Sequence, residues 1–272
     1  MTPYYSIVIP LKNEESNIEE LVQELESVMS KLQQPWELIC IDDGSTDHTK
    51  EVLLELAHTK SYLKNIFFAK NYGQSSAFAA GFKAAQGEFV ITLDGDRQND
   101  PADIPLLLQL CPTADLVCGI RTKRKDSFNK RIISKIANAI RGWICEDGVQ
   151  DTGCSLKIYR RACLTQIKMY HGMHRFLPAL FKIEGFRVAE HPVNHRERIK
   201  GVSNYNFFNR SFNTLADLWA VRWMKKRHLH YQIDNQAVFT PSSRISVSRE
   251  RSDGLLAGDR KLIEGVNTAD NQ

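Results

Sequence analysis

The chain has 272 residues, a length that suits one large α/β domain or one domain with appendages. With 42% hydrophobic and 25% charged residues it has the make-up of a soluble protein, and no apolar run reaches the roughly 18 to 20 residues that span a bilayer. The net charge of +4 gives no sign of a nucleic-acid partner; positive charge is local, in Arg121 to Arg141 and Arg196 to His230, where it suits a solvated face, an anionic substrate or an anionic membrane surface.

The N-terminus enters a strand-like run almost at once, Tyr5 to Pro10, and no signal peptide is expected there. Ser16 is placed to cap a helix whose apolar positions Ile18, Leu21, Val22, Leu25, Val28, Met29 and Leu32 keep helical spacing. A second strand, Trp36 to Ile41, ends in the turn-forming Asp42-Asp43-Gly44-Ser45, and a helix follows from about Asp47. Asn65 to Phe68 reads as a short strand, Gln74 to Ala85 as an Ala-rich helix, and Glu88 to Leu93 as a strand running into Asp94-Gly95-Asp96. Such alternation with short connections predicts a Rossmann-like, mostly parallel sheet flanked by helices. Further strands are expected at Ala114 to Cys118, Ser155 to Tyr159 and Phe186 to Pro192, with a basic amphipathic helix from Phe128 to Trp143. A helix opens near His174, and another covers 206 to 229. The six cysteines form no C-x-x-C pair and several sit in apolar runs, which predicts buried, reduced thiols rather than disulfides or zinc.

Both acidic clusters, Asp42-Asp43 and Asp94-x-Asp96, fall at the carboxyl ends of predicted strands, where open α/β sheets bind their ligands. Carboxylates at i and i+2, with a glycine between them, suit a hard divalent cation such as Mg2+ or Mn2+ that completes its shell with substrate phosphates. Taken alone, the Asp94-x-Asp96 pair reads more readily as an ordinary acidic turn, and the Asp42-Asp43 cluster is compatible with an ordinary strand-to-helix loop.

Taken together, Pro10-x-x-Asn13-Glu14, Ile41-Asp-Asp-Gly-Ser-Thr-Asp47, Asn71-x-Gly73 and Leu93-Asp-Gly-Asp-x-Gln98-x-Asp100-Pro101 resemble the inverting family 2 glycosyltransferases of GT-A fold. Within that family the chain looks most like the polyprenyl-phosphate sugar transferases, over roughly residues 4 to 210. The resemblance implies a metal-dependent transferase using a UDP- or GDP-sugar donor. Pro10, Glu14, Asp42, Asp43 and Asp94 would bind the donor nucleotide. Asp94, Asp96 and Gln98 would hold the metal. Asp96, Arg121 and Asp151 would carry the catalysis, with Asp151 either general base or a group that orients the sugar. Arg131, Ser134, Arg198, Ser203 and Tyr205 would receive an acceptor phosphate, and His174 and Arg175 would close the donor site. Asn204 stands where the family commonly has Lys, a departure at the phosphate-contacting loop.

The expected organisation is a catalytic domain over 1–206, an aromatic and basic helix over 207–231 suited to a membrane interface, and a flexible polar tail over 232–272. The expected location is the cytoplasm, peripheral at the inner face of the membrane, with a polyprenyl phosphate or other lipid-linked acceptor and a membrane partner protein as a further option. The competing readings are a soluble family 2 transferase acting on a sugar hydroxyl, a non-catalytic scaffold, and a nucleotidyltransferase.

Overall fold

The structure, a computed structural model, describes residues 2–122, 141, 142, 144, 145, 148–197 and 207–229, with side chains of the last segment from residue 215. Seven strands form one sheet in the order β3-β2-β1-β4-β6-β5-β7. They are β1 (Tyr5–Leu11), β2 (Trp36–Asp42), β3 (Leu63–Phe67), β4 (Phe89–Thr92), β5 (Leu116–Arg121), β6 (Lys157–Arg160) and β7 (Val188–Val193). β1 lies parallel to both β2 and β4, with Tyr5 opposite Trp36 on one side and Phe89 on the other. Only β6 runs against its neighbours, β4 and β5.

The central strands β1, β2 and β4 are buried almost throughout because helices cover both faces of the sheet. Successive β1 side chains divide between two cores. Ile7, Ile9 and Leu11 join Leu21, Leu25 and Met29 of α1 (Ile18–Met29), Leu53 of α2 (Thr49–Thr59), and Ile104 and Leu107 of the short α4 (Ile104–Leu108). Val8 faces the other way, onto Ala77, Phe78 and Phe82 of α3 (Gln74–Ala84). That second core also takes Leu164 of α5 (Arg161–Leu164), Phe181 of α6 (Leu177–Ile183), and Leu218 and Val221 of α7 (Phe207–Arg227).

Helix starts differ in detail from the sequence reading. α1 begins after Asn17 and no side chain caps it; the Asn17 amide donates instead to Glu14 Oε2 at 2.7 Å. The expected helix at His174 is a 3-10 turn, Met173–Arg175, before α6, whose start is set by Pro178 in its first turn. The helix expected from Phe128 to Trp143 lies almost wholly outside the described residues, as does the tail from 230.

All six cysteines are buried and free. α7 divides its apolar residues: Leu218 and Val221 are buried, whereas Trp219 and Trp223 are 61% and 63% exposed. Among the described residues, no helix is long and apolar enough to cross a membrane.

Candidate active site

β1, β2 and β4 are parallel and end on the same side of the sheet, so the turns after them meet there. The first two are stitched together. Asn13 N–H donates to Ser45 Oγ (2.9 Å), Thr46 N–H to Asn13 Oδ1 (2.8 Å) and His48 N–H to Glu15 Oε2 (2.7 Å). Gly44, at φ +65°, lies against the backbone of Lys70 and Asn71, where an added Cβ would come within 2.5 Å of a main-chain atom.

These turns wall a cleft of about 560 Å³. Pro10, Lys12 and Glu14 line it from the turn after β1, Asp43 from the turn after β2, and Gly73, Gln74 and Ser75 from the start of α3. The Asp94–Gln98 turn, Arg121, Gly153 and the segment from His171 to Arg175 complete it. The first residues of α3 offer the positive end of a helix to anything anionic bound there.

The two acids after β2 take different places. Asp42 is buried and does not line the cleft; its Oδ1 accepts the Ser45 N–H at 2.9 Å. Asp43 reaches the cleft wall and clamps the turn before α3, accepting Tyr72 N–H (2.6 Å) and Gly73 N–H (2.9 Å).

Asp94 and Asp96 both line the cleft, Asp96 being only 7% exposed. Asp94 is held on both oxygens, by Gln74 Nε2 at 2.9 Å and by the Ser155 hydroxyl. Burial pushes its pKa up and the neighbouring Asp96 carboxylate adds to that, opposed by Ser155, Lys157 and Arg121. Gln98 N–H donates to Asp96 Oδ1 at 3.1 Å, and the Gln98 side chain lines the same wall. Among the described residues, no three His, Cys, Asp or Glu side chains gather as a metal cluster. Two hard oxygen donors beside open cleft volume fit a Mg2+ or Mn2+ ion that takes its remaining ligands from a diphosphate and water.

In the same cleft, Arg121 at the end of β5 meets Asp151. Arg121 Nε donates to Asp151 Oδ2 (2.7 Å) and Nη2 to Oδ1 (2.8 Å), a bidentate pair. Asp151 also accepts Arg121 N–H (3.2 Å) and Gly153 N–H (3.0 Å). Burial works against the Arg121 charge, but the hydrogen-bonded Asp151 outweighs it and pushes the Arg121 pKa further up. A Cβ on Gly153 would lie 2.6 Å from Arg121 Nη2, so a side chain there would push this guanidinium from its place.

His174 and Arg175 line the cleft on the α3 side, with His174 Nδ1 2.6 Å from Ser75 Oγ. Arg131, Ser134, Arg198, Ser203 and Tyr205 lie outside the described residues.

Three contributors were not singled out from the sequence. Lys12 lines the cleft while its ammonium donates to the Asp43 carbonyl (3.3 Å) and the Gly44 carbonyl. Ser155 holds Asp94, and Lys157, buried at 4% exposure, donates to the carbonyls of Thr152 and Cys154 beneath the Asp151 turn. A charged residue inside a predicted strand was the one available signal for Lys157; nothing in the sequence marks Lys12 or Ser155.

Comparison with known proteins agrees with this geometry. Residues 6–173 match the model of glycosyl transferase family 2. The dodecaprenyl-phosphate galacturonate synthase of Rhizobium johnstonii is 37% identical over 233 residues, covering 81% of this chain and 67% of the relative. The undecaprenyl-phosphate 4-deoxy-4-formamido-L-arabinose transferase of Salmonella choleraesuis is 36% identical over 215 residues, covering 78% of this chain and 65% of the relative. The chain belongs to glycosyl transferase family 2, and it spans about two thirds of the length of these relatives. Among solved structures, glucosyl-3-phosphoglycerate synthase from Mycobacterium tuberculosis with Mn2+ and UDP-glucose superposes with a TM-score of 0.63 at 18% identity, over 81% of this chain and 79% of that one. The same enzyme with Mg2+ and UDP gives a TM-score of 0.59 at 16% identity, over 85% of this chain and 81% of that one. At such identities the likeness establishes the GT-A fold.

Proposed function

We propose that this chain transfers a sugar from a nucleoside diphosphate sugar to the phosphate of a polyprenyl phosphate, with inversion at the anomeric carbon. The observation that carries the reading is that Asp94, Asp96 and Arg121, the last held by Asp151, line one cleft at the carboxyl ends of the strands. Asp94 and Asp96 would hold the Mg2+ or Mn2+ ion, Gln98 supporting that turn. The ion would supply charge neutralisation for the departing nucleoside diphosphate.

Pro10, Glu14 and Asp43 sit where the nucleoside would lie, Asp42 acting behind them by fixing the turn. The start of α3 and Arg121 add positive potential around the leaving phosphates as the glycosidic C–O bond breaks. His174 and Arg175 would close the donor site from the α6 side. Arg131, Ser134, Arg198, Ser203 and Tyr205 remain the residues proposed to receive the acceptor phosphate.

The two relatives and the setting of Asp151 support this acceptor class. A phosphate oxygen is already anionic near neutral pH and needs little base catalysis, whereas a sugar hydroxyl needs a carboxylate ready to take its proton. Asp151 is committed to Arg121 and two backbone N–H groups, which suits an orienting role rather than that of a base. The exposed Trp219 and Trp223, with Lys225, Lys226 and Arg227 after them, suit peripheral contact with an anionic membrane, at its cytoplasmic face in this reading.

A donor screen tests the proposal: purified chain, Mn2+ or Mg2+, a panel of UDP- and GDP-sugars, and undecaprenyl phosphate, reading released nucleoside diphosphate. Release from one donor that depends on the lipid is expected. Release that is indifferent to the lipid would contradict the acceptor, and no release from any donor would contradict the activity.

A further inference from the structure

α7 has a second role open to it besides its outward aromatic stripe. Asp217 lies on this helix beside the buried Leu218, and its carboxylate packs against Gly172: a Cβ added to that glycine would lie 2.4 Å from Asp217 Oδ2. Gly172, at φ +82°, can adopt this backbone and make this contact because it has no side chain. Its N–H donates to Ser75 Oγ at 3.0 Å, the same hydroxyl that meets His174 Nδ1. His171 and Arg175 are the cations whose charges act on Asp217, and Gly172, His171, His174 and Arg175 all line the donor cleft.

The Asp217 carboxylate accepts no hydrogen bond from any described residue. Half-buried, with a pKa raised by that burial and drawn back by Arg175 and then His171, it carries a charge whose compensation, among the described residues, comes from the cleft wall. A carboxylate left this way, against a glycine that belongs to a ligand-binding turn, has its natural partner in that turn.

We propose that Asp217 is a positioning residue of the donor site: from α7 it holds the 171–175 turn, through Gly172 and the charges of Arg175 and His171, where that turn forms the wall for the nucleoside diphosphate. The inference rests on the donor-site reading above. It makes α7 a single rigid element that carries the exposed Trp219 and Trp223 on one side and supports the donor wall on the other.

The test is UDP binding to the full chain in Mn2+, by calorimetry, for wild type, Asp217→Asn, Asp217→Glu, Arg175→Gln and the double variant Asp217→Asn/Arg175→Gln, with the thermal midpoint of each. Asp217→Asn keeps the shape and removes the charge, and is expected to weaken UDP roughly tenfold, through the loss of the carboxylate's electrostatic hold on Arg175, at an unchanged midpoint. Asp217→Glu is expected to recover most of the affinity, and Asp217→Asn is expected to add little once Arg175 is Gln. An Asn variant that binds UDP as wild type does, or losses at 175 and 217 that add in full, would overturn the assignment. If Asp217→Asn lowers the midpoint, the Glu variant decides: restored affinity supports the role, and affinity as weak as that of the Asn variant overturns it. A wild-type chain that binds GDP in place of UDP carries the same series on GDP, and one that binds neither contradicts the donor site itself, an outcome distinct from any of these.

Discussion

Arg121 and Asp151 hold each other through two parallel hydrogen bonds of 2.7 and 2.8 Å, at the junction of β5 with the turn that leads into β6. The pair fixes a guanidinium at the cleft while leaving it charged, which is what a site that stabilises a departing diphosphate requires. Asp151→Asn removes the charge and one acceptor, so turnover is expected to fall roughly 100-fold with the fold intact. Gly153→Ala should have a similar effect, because its methyl group would occupy the space of Arg121 Nη2. Steady-state kinetics beside a thermal melt checks both, and full activity in Gly153→Ala would show that Arg121 is not needed where it stands.

Asp94 gives the site its pH dependence. Its pKa is raised by burial first and by Asp96 second, so the folded chain binds this proton more tightly than the unfolded chain does. The sign follows: above the ordinary aspartate range its ionisation costs stability, and that cost disappears as the pH falls through the raised value. Asp94→Asn should therefore raise the thermal midpoint of the ligand-free chain at neutral pH, by about 2 °C, while abolishing Mn2+-dependent UDP binding. In the wild type, Mn2+-dependent binding should fade on acidification at a higher pH than an ordinary aspartate would dictate. A lower midpoint in Asp94→Asn would contradict this account of the carboxylate.

Much of this arrangement was legible in the sequence. All seven strands fall close to where they are expected, and β1, β2 and β4 stand out most because a parallel sheet covered on both faces needs buried apolar runs at its centre. The Asp94-x-Asp96 pair was legible because strand ends and acidic turns coincide. The division of labour between Asp42 and Asp43 was not: adjacent side chains point opposite ways, and which one reaches the cleft depends on the turn at Tyr72 and Gly73. Ser155 and Lys157 were hidden for a similar reason, since they reach Asp94 and the Asp151 turn only through the pairing of the antiparallel β6 with β4.

α7 offers a separable prediction. Trp219 and Trp223 are exposed on the folded chain, so replacing both with Ser should leave the thermal midpoint unchanged. Flotation with vesicles containing phosphatidylglycerol should nevertheless weaken by roughly tenfold or more, through the loss of buried aromatic area at the interface. Unaltered flotation would move the membrane contact away from this helix.

The cysteines should be chemically silent in the native chain. Burial pushes the thiols of Cys40 and Cys118 up to about 12 and that of Cys111 to about 11, and all six side chains are buried. Ellman's reagent at pH 8 should find them unreactive until denaturant is added, when all six should titrate. Rapid reaction of the native chain would show that one of these sites opens.

The most direct test of the central claim is mass spectrometry of the lipid product after incubating the chain with Mn2+, undecaprenyl phosphate and the donor that the screen selects. The predicted result is one sugar joined to the lipid through a single phosphate, formed by the wild type and not by a folded Asp96→Ala variant. A lipid that stays unmodified while the sugar appears on water or on a hydroxyl acceptor, or product formed equally well by Asp96→Ala, would contradict the account.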